Sequence, residues 1–155
     1  MRCAWRAEVS ERLAAERFVF VDEMGSNTSL SPLYGWSRVG ERLRVKAPKT
    51  WGKNVTLLSS MSMEGMGPSV AVAGATTRAV FEARGCELVY LPPYSPDMNP
   101  IEEAFAKVKG LMRRAEARTH EALVETMGKA LGAVSARDAR GFFEHGGYRA
   151  MGQPF

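Results

Sequence analysis

Six bases, Arg38, Arg42, Arg44, Lys46, Lys49 and Lys53, fall in a stretch that holds one acid, Glu41. That stretch nets +5 in a chain whose total is +4, so everything else nets −1. A basic strip on a near-neutral body has the electrostatics to track a phosphate backbone, and it also reads as a solvated loop or hairpin face. A second place where residue types could do chemistry is the run LPPYSPDMNPIEEAF from Leu91 to Phe105, where Glu102 stands just inside the start of a helix. A third is Asp22, which with Glu23 ends the apolar run Phe18 to Val21. Cys3 and Cys86 are too few for a zinc site or a disulfide framework. His120 and His145 stand far apart with no acid or cysteine at ligand spacing, and are read as surface or packing residues. Lys107, Lys109, Arg113 and Arg114 either meet phosphates or, with Glu103 and Glu116, form a solvated helix face. Tyr34 and Trp36 either stack on a base or pack in a hairpin.

The elements that must position these residues follow from the hydrophobic pattern. Ala4 to Arg17 reads as a short helix, and Phe18 to Val21 as a fully buried strand followed by a turn at Gly25, Ser26 and Asn27. Leu43 and Val45 alternate with bases from Arg42 to Lys46, as in a half-solvated strand. Val55 to Met61 and Val70 to Ala73 are two further strands, separated by a turn at Gly65, Gly67 and Pro68. Thr76 to Arg84 reads as a brief helix closed by Gly85, and Glu87 to Leu91 as another strand. Pro92, Pro93 and Pro96 then force a stiff extended loop. The helix after it starts with Asn99 as N-cap, Pro100 at the first position and Glu102 at the third, where its carboxylate can reach back to the cap's amide as in a capping box. Ile101, Phe105, Val108 and Met112 form its apolar stripe.

With 155 residues, 45% hydrophobic and 25% charged, the chain describes one globular domain and excludes fibrous and disordered architectures. No apolar run approaches the roughly 20 residues that cross a bilayer, and the charged N-terminus lacks a signal core. A cytoplasmic, non-membrane protein is expected.

Three segments carry a resemblance: FVFVDEMGSN at Phe18 to Asn27, the Tyr34 to Trp36 patch followed by GERLR, and LPPYSPDMNPIEEAFAKVK at Leu91 to Lys109. Together the chain resembles the catalytic domain of the DDE superfamily transposases, in the bacterial insertion-sequence relatives of the mariner group. The resemblance implies an α/β, RNase H-like mixed sheet with flanking helices. It also implies metal-dependent DNA cleavage and strand transfer, with Asp22 matching the first catalytic aspartate and Glu102 the last acidic residue. Such chemistry uses two divalent ions, one activating the attacking oxygen and one stabilising the leaving oxygen, and hard Mg2+ or Mn2+ takes oxygen ligands.

The departures from the family matter as much. The family's middle aspartate ends its fourth strand, and the chain's three aspartates, Asp22, Asp97 and Asp138, offer no substitute there. Only Gly74 to Cys86 separate the strand ending at Ala73 from Glu87, where the family has a helix, a central strand and a second helix. Phe81, Glu82 and Ala83 look like the seam of an internal deletion. The resemblance also places a helix-turn-helix region before Trp5, and the expectation is of a domain without it. The reading is therefore a single truncated domain over residues 1–155: an N-terminal helix to 17, sheet, proline loop and Glu102 helix over 18–116, and C-terminal helices over 117–155. The fold is expected to be incomplete, lacking the fourth strand, and the transposase inactive. Alternatives are a non-catalytic DNA-binding or interfering fragment, and an inert remnant. Expected partners are DNA, a second copy or an intact transposase. If the central strand is gone, Glu87 to Leu91 can slide sideways by about 4.8 Å and pair parallel with Phe18 to Asp22, with Val80 and Phe81 packed on the sheet.

Overall fold

The computed structural model describes residues 4–5, 7–9, 14–44, 49, 54–72 and 87–149. Among these residues the strands β1 (Phe20–Ser26), β2 (Val55–Ser62) and β3 (Gly65–Val72) are followed by the helices α1 (Pro100–Ala115), α2 (His120–Gly132) and α3 (Ala136–His145). The strands form one antiparallel sheet in the order β1-β2-β3. Along β2 the residues alternate strictly, with Val55, Leu57, Ser59 and Met61 buried. That period of two defines one packed face. The α1 stripe of Ile101, Phe105, Val108 and Met112 is buried against it, together with Leu123 and Met127 of α2 and Ala139 and Phe143 of α3. Burial of each large apolar side chain contributes roughly 1.5 to 3 kcal/mol, so this helix-on-sheet layer holds the fold. No helix among the described residues is long and apolar enough to cross a membrane.

Several elements differ from the pattern reading. β1 starts two residues later and runs through the supposed turn to Ser26, because each residue from Phe20 to Ser26 has a partner in β2 and ladder pairing overrides the local preference of Gly25 and Ser26. The preceding run is not fully buried, since Val19 is exposed. The β2–β3 turn lies at Met63 and Glu64, with Gly65 at φ +125°, a conformation that favours glycine. Gly67 and Pro68 sit inside β3, where the register shifts between Ser59 and Met61 so that two residues oppose Ser60. A bulge on an outer strand of the described sheet is where proline, which lacks an N–H, is tolerated. Residues 41–44 form no strand and lie exposed in a long loop, where Leu43 Cδ2 comes 2.5 Å from the point a β-carbon on Gly35 would occupy. The N-terminal segment is helical at 4–5 and 7–9 and ends in a 3₁₀ turn, Ala15–Arg17.

The expected parallel strand is not formed. Glu87 to Leu91 has no strand geometry and takes no place in the three-stranded sheet, and Val89 and Tyr90 are exposed where a central strand would bury them. Pro92 and Pro93 remove two backbone donors at the end of the segment that would lie beside Asp22, and α1 packs over β1 instead. The sheet is therefore antiparallel throughout its described extent. The expected helix at Thr76 to Arg84, the packing of Val80 and Phe81, and the seam at Phe81 to Ala83 lie outside the described residues.

Candidate active site

Asp22 lies in the middle of β1, opposite Ser59 of β2. By strand alternation its side chain shares a face with Phe20 and Met24, the face that α1 covers. The proline loop delivers the second acid. Tyr94 takes the left-handed conformation at φ 55°, Pro96–Met98 forms a 3₁₀ turn, and Asn99 then caps α1 by position, with Pro100 and Glu102 in the first turn. The expected capping box is absent, because the Asn99 side chain makes no bond to the helix amides. Its amide Nδ2 donates instead to Asp22 Oδ2 at 2.8 Å. Asp22 Oδ1 accepts from the backbone N–H of Glu23 at 2.7 Å.

Glu102 reaches Asp22 as well. Its carboxyl is held above the ordinary value of 4.5, first by burial, then by the Asp22 charge and by a hydrogen bond with Asp22, while Lys109 pulls the other way. The Asp22 charge disfavours ionised Glu102, and a cation beside the pair would relieve this. The arrangement is thus a place for positive charge, built from one residue on a strand and one at a helix start. Among the described residues no group of three His, Cys, Asp or Glu side chains comes together to hold a metal ion.

Residues after α3 brace this corner. Tyr148, buried, donates from its hydroxyl to the Met98 carbonyl at 2.8 Å, and its ring lies edge-on to Phe20 at 4.9 Å and to Phe18 at 5.6 Å. His145 Nδ1 pairs with Glu103 Oε1, and its side chain stays mostly exposed, as expected of a surface histidine. Nothing in the local sequence around residue 148 signals the first contact; the Asn99 contact was masked by a cap motif that fits the same residue.

The basic strip is placed only in part. Arg38, Arg42, Arg44 and Lys49 are exposed, whereas Lys46 and Lys53 lie outside the described residues. Tyr34 and Trp36 are 91% and 99% exposed, so neither packs in a hairpin core. They belong to the arm between β1 and β2, whose base is tied down where Arg118 donates to the carbonyls of Thr28 and Leu30 at 3.3 and 3.0 Å.

Residues 74–124 match the DDE superfamily endonuclease family. No curated protein matches the chain. Two solved structures share its fold: a pre-cleavage Mos1 transpososome, with a TM-score of 0.62 and 16% identity over 94% of this chain, and the Mos1 mariner paired end complex with Mn, with a TM-score of 0.60 and 15% identity over 93%. The chain spans 57% of the length of each Mos1 chain. Glu102 falls within the matched residues and Asp22 precedes them. Through residues 74–124 the chain is similar to the DDE superfamily endonucleases, and its RNase H-like fold is similar to that of the two Mos1 structures.

Proposed function

We propose that the chain is a DDE transposase catalytic domain, shortened between β3 and Glu87 by loss of the family's central strand and middle aspartate, which binds a divalent cation at Asp22 and Glu102 but does not cut DNA. The supporting observation is the meeting of these two carboxylates, with Asn99 donating to one of them. The donor set is all oxygen, which fits Mg2+ or Mn2+. Bound there, the ion would supply charge to a phosphate oxygen and acidity to a ligated water. Asp22 would hold it from the strand and Glu102 from the helix start. Family chemistry uses two ions, and with no third acid joining these two among the described residues the site suits one. The exposed Arg38, Arg42, Arg44 and Lys49, with Lys46 and Lys53, would meet DNA phosphates. A second copy or an intact transposase is the protein partner, and the cytoplasm the place of action.

The test is Mn2+ titration of the full chain followed by electron paramagnetic resonance, alongside a nicking assay on duplex DNA. About one bound ion per chain, lost in Asp22→Ala, with no nicking in either protein, is the expected outcome. Metal-dependent nicking abolished by Asp22→Ala would overturn the inactive reading and leave the site assignment standing. The non-catalytic DNA-binding reading is favoured by one separate observation, the near-complete exposure of Tyr34 and Trp36 beside the strip. It requires duplex binding that weakens between about 50 and 200 mM salt. Salt-insensitive or absent binding would leave an inert remnant.

A further inference from the structure

We infer that Tyr148 is a positioning residue for the paired carboxylates, an inference that rests on the metal-binding reading above. The two acids come from elements far apart in the chain, β1 and the start of α1, and their separation is set by whatever fixes one element against the other. Tyr148 touches β1 and the turn that leads into α1. Its ring packs on Phe20, two residues before Asp22 on the same strand face, at a centroid distance of 4.9 Å. Its hydroxyl donates to the Met98 carbonyl at 2.8 Å, immediately before Asn99. Asn99 in turn donates to Asp22 at 2.8 Å, so ring, loop and strand form a closed circuit around the site. Tyr148 is 2% exposed, which shields this bond from competing water.

The residues before Tyr148 support the same corner. Gly147 holds a φ of +88°, which turns the chain after α3 so that the ring enters the corner, and a β-carbon on Gly146 would stand 3.1 Å from Pro100 Cγ. The chain therefore comes close to the first residue of α1 here. Phe143 of α3 closes the aromatic group, with its ring 5.2 Å from Phe20 and 6.2 Å from Tyr148. A ring of this size without its hydroxyl keeps the apolar packing and loses only the hold on the loop. Ligand-orienting contacts outside the metal's own shell commonly change affinity by about 10- to 100-fold.

Tyr148→Phe tests this directly in the full chain, with Leu123→Val as a control in α2, an element that makes none of these contacts. Two quantities are read: Mn2+ affinity by electron paramagnetic resonance, and amide exchange over residues 98–102 without metal. Tyr148→Phe should weaken Mn2+ by about tenfold and speed exchange in that segment, while Leu123→Val, even if it melts earlier, should change neither. Equal Mn2+ affinity in wild type and Tyr148→Phe would overturn the inference and leave the metal reading intact. A parallel loss of affinity in Leu123→Val would also overturn it, by tracing the effect to general destabilisation. Wild-type chain that takes up no Mn2+ would overturn the metal reading itself, and the inference with it.

Discussion

Asn99 donates its side-chain amide to Asp22 at 2.8 Å, joining a helix N-cap position to the middle of a strand 77 residues away. The bond replaces the local one that asparagine ordinarily makes to the first helical amides. Helix α1 thus begins without a side-chain cap, and the site gains a fixed carboxylate.

The consequence is a variant that separates stability from binding. Asn99→Ser is too short to reach Asp22 but is a good N-cap, worth about 1 kcal/mol when its hydroxyl meets the helix amides. Thermal stability should hold or rise, while Mn2+ affinity falls by about tenfold. Unchanged Mn2+ affinity, measured beside the melting curve, would remove Asn99 from the site.

The capping box at Asn99 and Glu102 also shows where sequence pattern stops being informative. The residue types satisfy the motif, and the helix does begin where they place it, but both side chains turn to Asp22. A local motif cannot reveal a competitor that arrives from another element. Conversely, the capping box that does form, between Ser135 and Asp138, was not anticipated, because Ser135 follows a short break between two helices rather than a proline loop. The α1 stripe was legible since its period alone identifies the buried face. Strand limits were not, because β1 gains its last residues, and β3 its first, from pairing with β2. The failed strand at Glu87 to Leu91 has the same origin: five apolar-rich residues resemble a strand in isolation, and only the packing of α1 on β1 decides that no slot is filled by them.

Glu102 sets the first pH dependence. Its pKa is raised above 4.5 by burial and then by Asp22, so the folded state favours the protonated form. The stability it contributes is complete below 4.5 and is lost as pH rises through the raised value. Glu102→Gln should therefore melt higher than wild type at neutral pH without metal, and the difference should vanish below 4.5. A variant that melts lower at neutral pH would show that the ionised carboxylate is favoured by the fold.

His145 sets a second. Its pairing with Glu103 raises its pKa above 6.5, so the contribution is fully present below 6.5 and disappears as pH climbs through the raised value. The side chain is mostly exposed, so the effect is small and screened by salt. Melting points of wild type should decline slightly over that interval relative to Glu103→Gln. Parallel curves for the two proteins would exclude the pair as the source.

The Ser135 cap should be a costly one to remove. Its hydroxyl accepts from the Asp138 N–H at 3.2 Å, and Asp138 Oδ2 accepts from the Ser135 N–H at 2.8 Å and from Lys107 Nζ at 2.7 Å. Lys107 first, and then Ser135, hold the Asp138 carboxyl well below the usual carboxylate range. Asp138 therefore stabilises the fold above its ordinary value of 3.8, and the contribution fades as pH falls through the lowered one. Ser135→Ala should lower stability by about 1 kcal/mol in urea titrations at neutral pH. A loss near zero would mean that Lys107 alone holds the start of α3.

Ser26 presents the opposite case. It closes β1 at 5% exposure, and its Oγ has no hydrogen-bond partner among the described residues. A hydroxyl moved from water into an apolar setting without a partner costs roughly 1 to 3 kcal/mol. Removing it recovers that cost, while the space left by one oxygen is too small to forfeit much packing. The backbone of Ser26 stays paired with Val55 whatever the side chain. Ser26→Ala should thus be neutral or stabilising by up to about 1 kcal/mol, against the usual trend of buried substitutions. The check is a urea midpoint at constant slope. A fall in that midpoint would show that Oγ is satisfied in solution, and an unchanged slope would confirm that the unfolded state is not responsible.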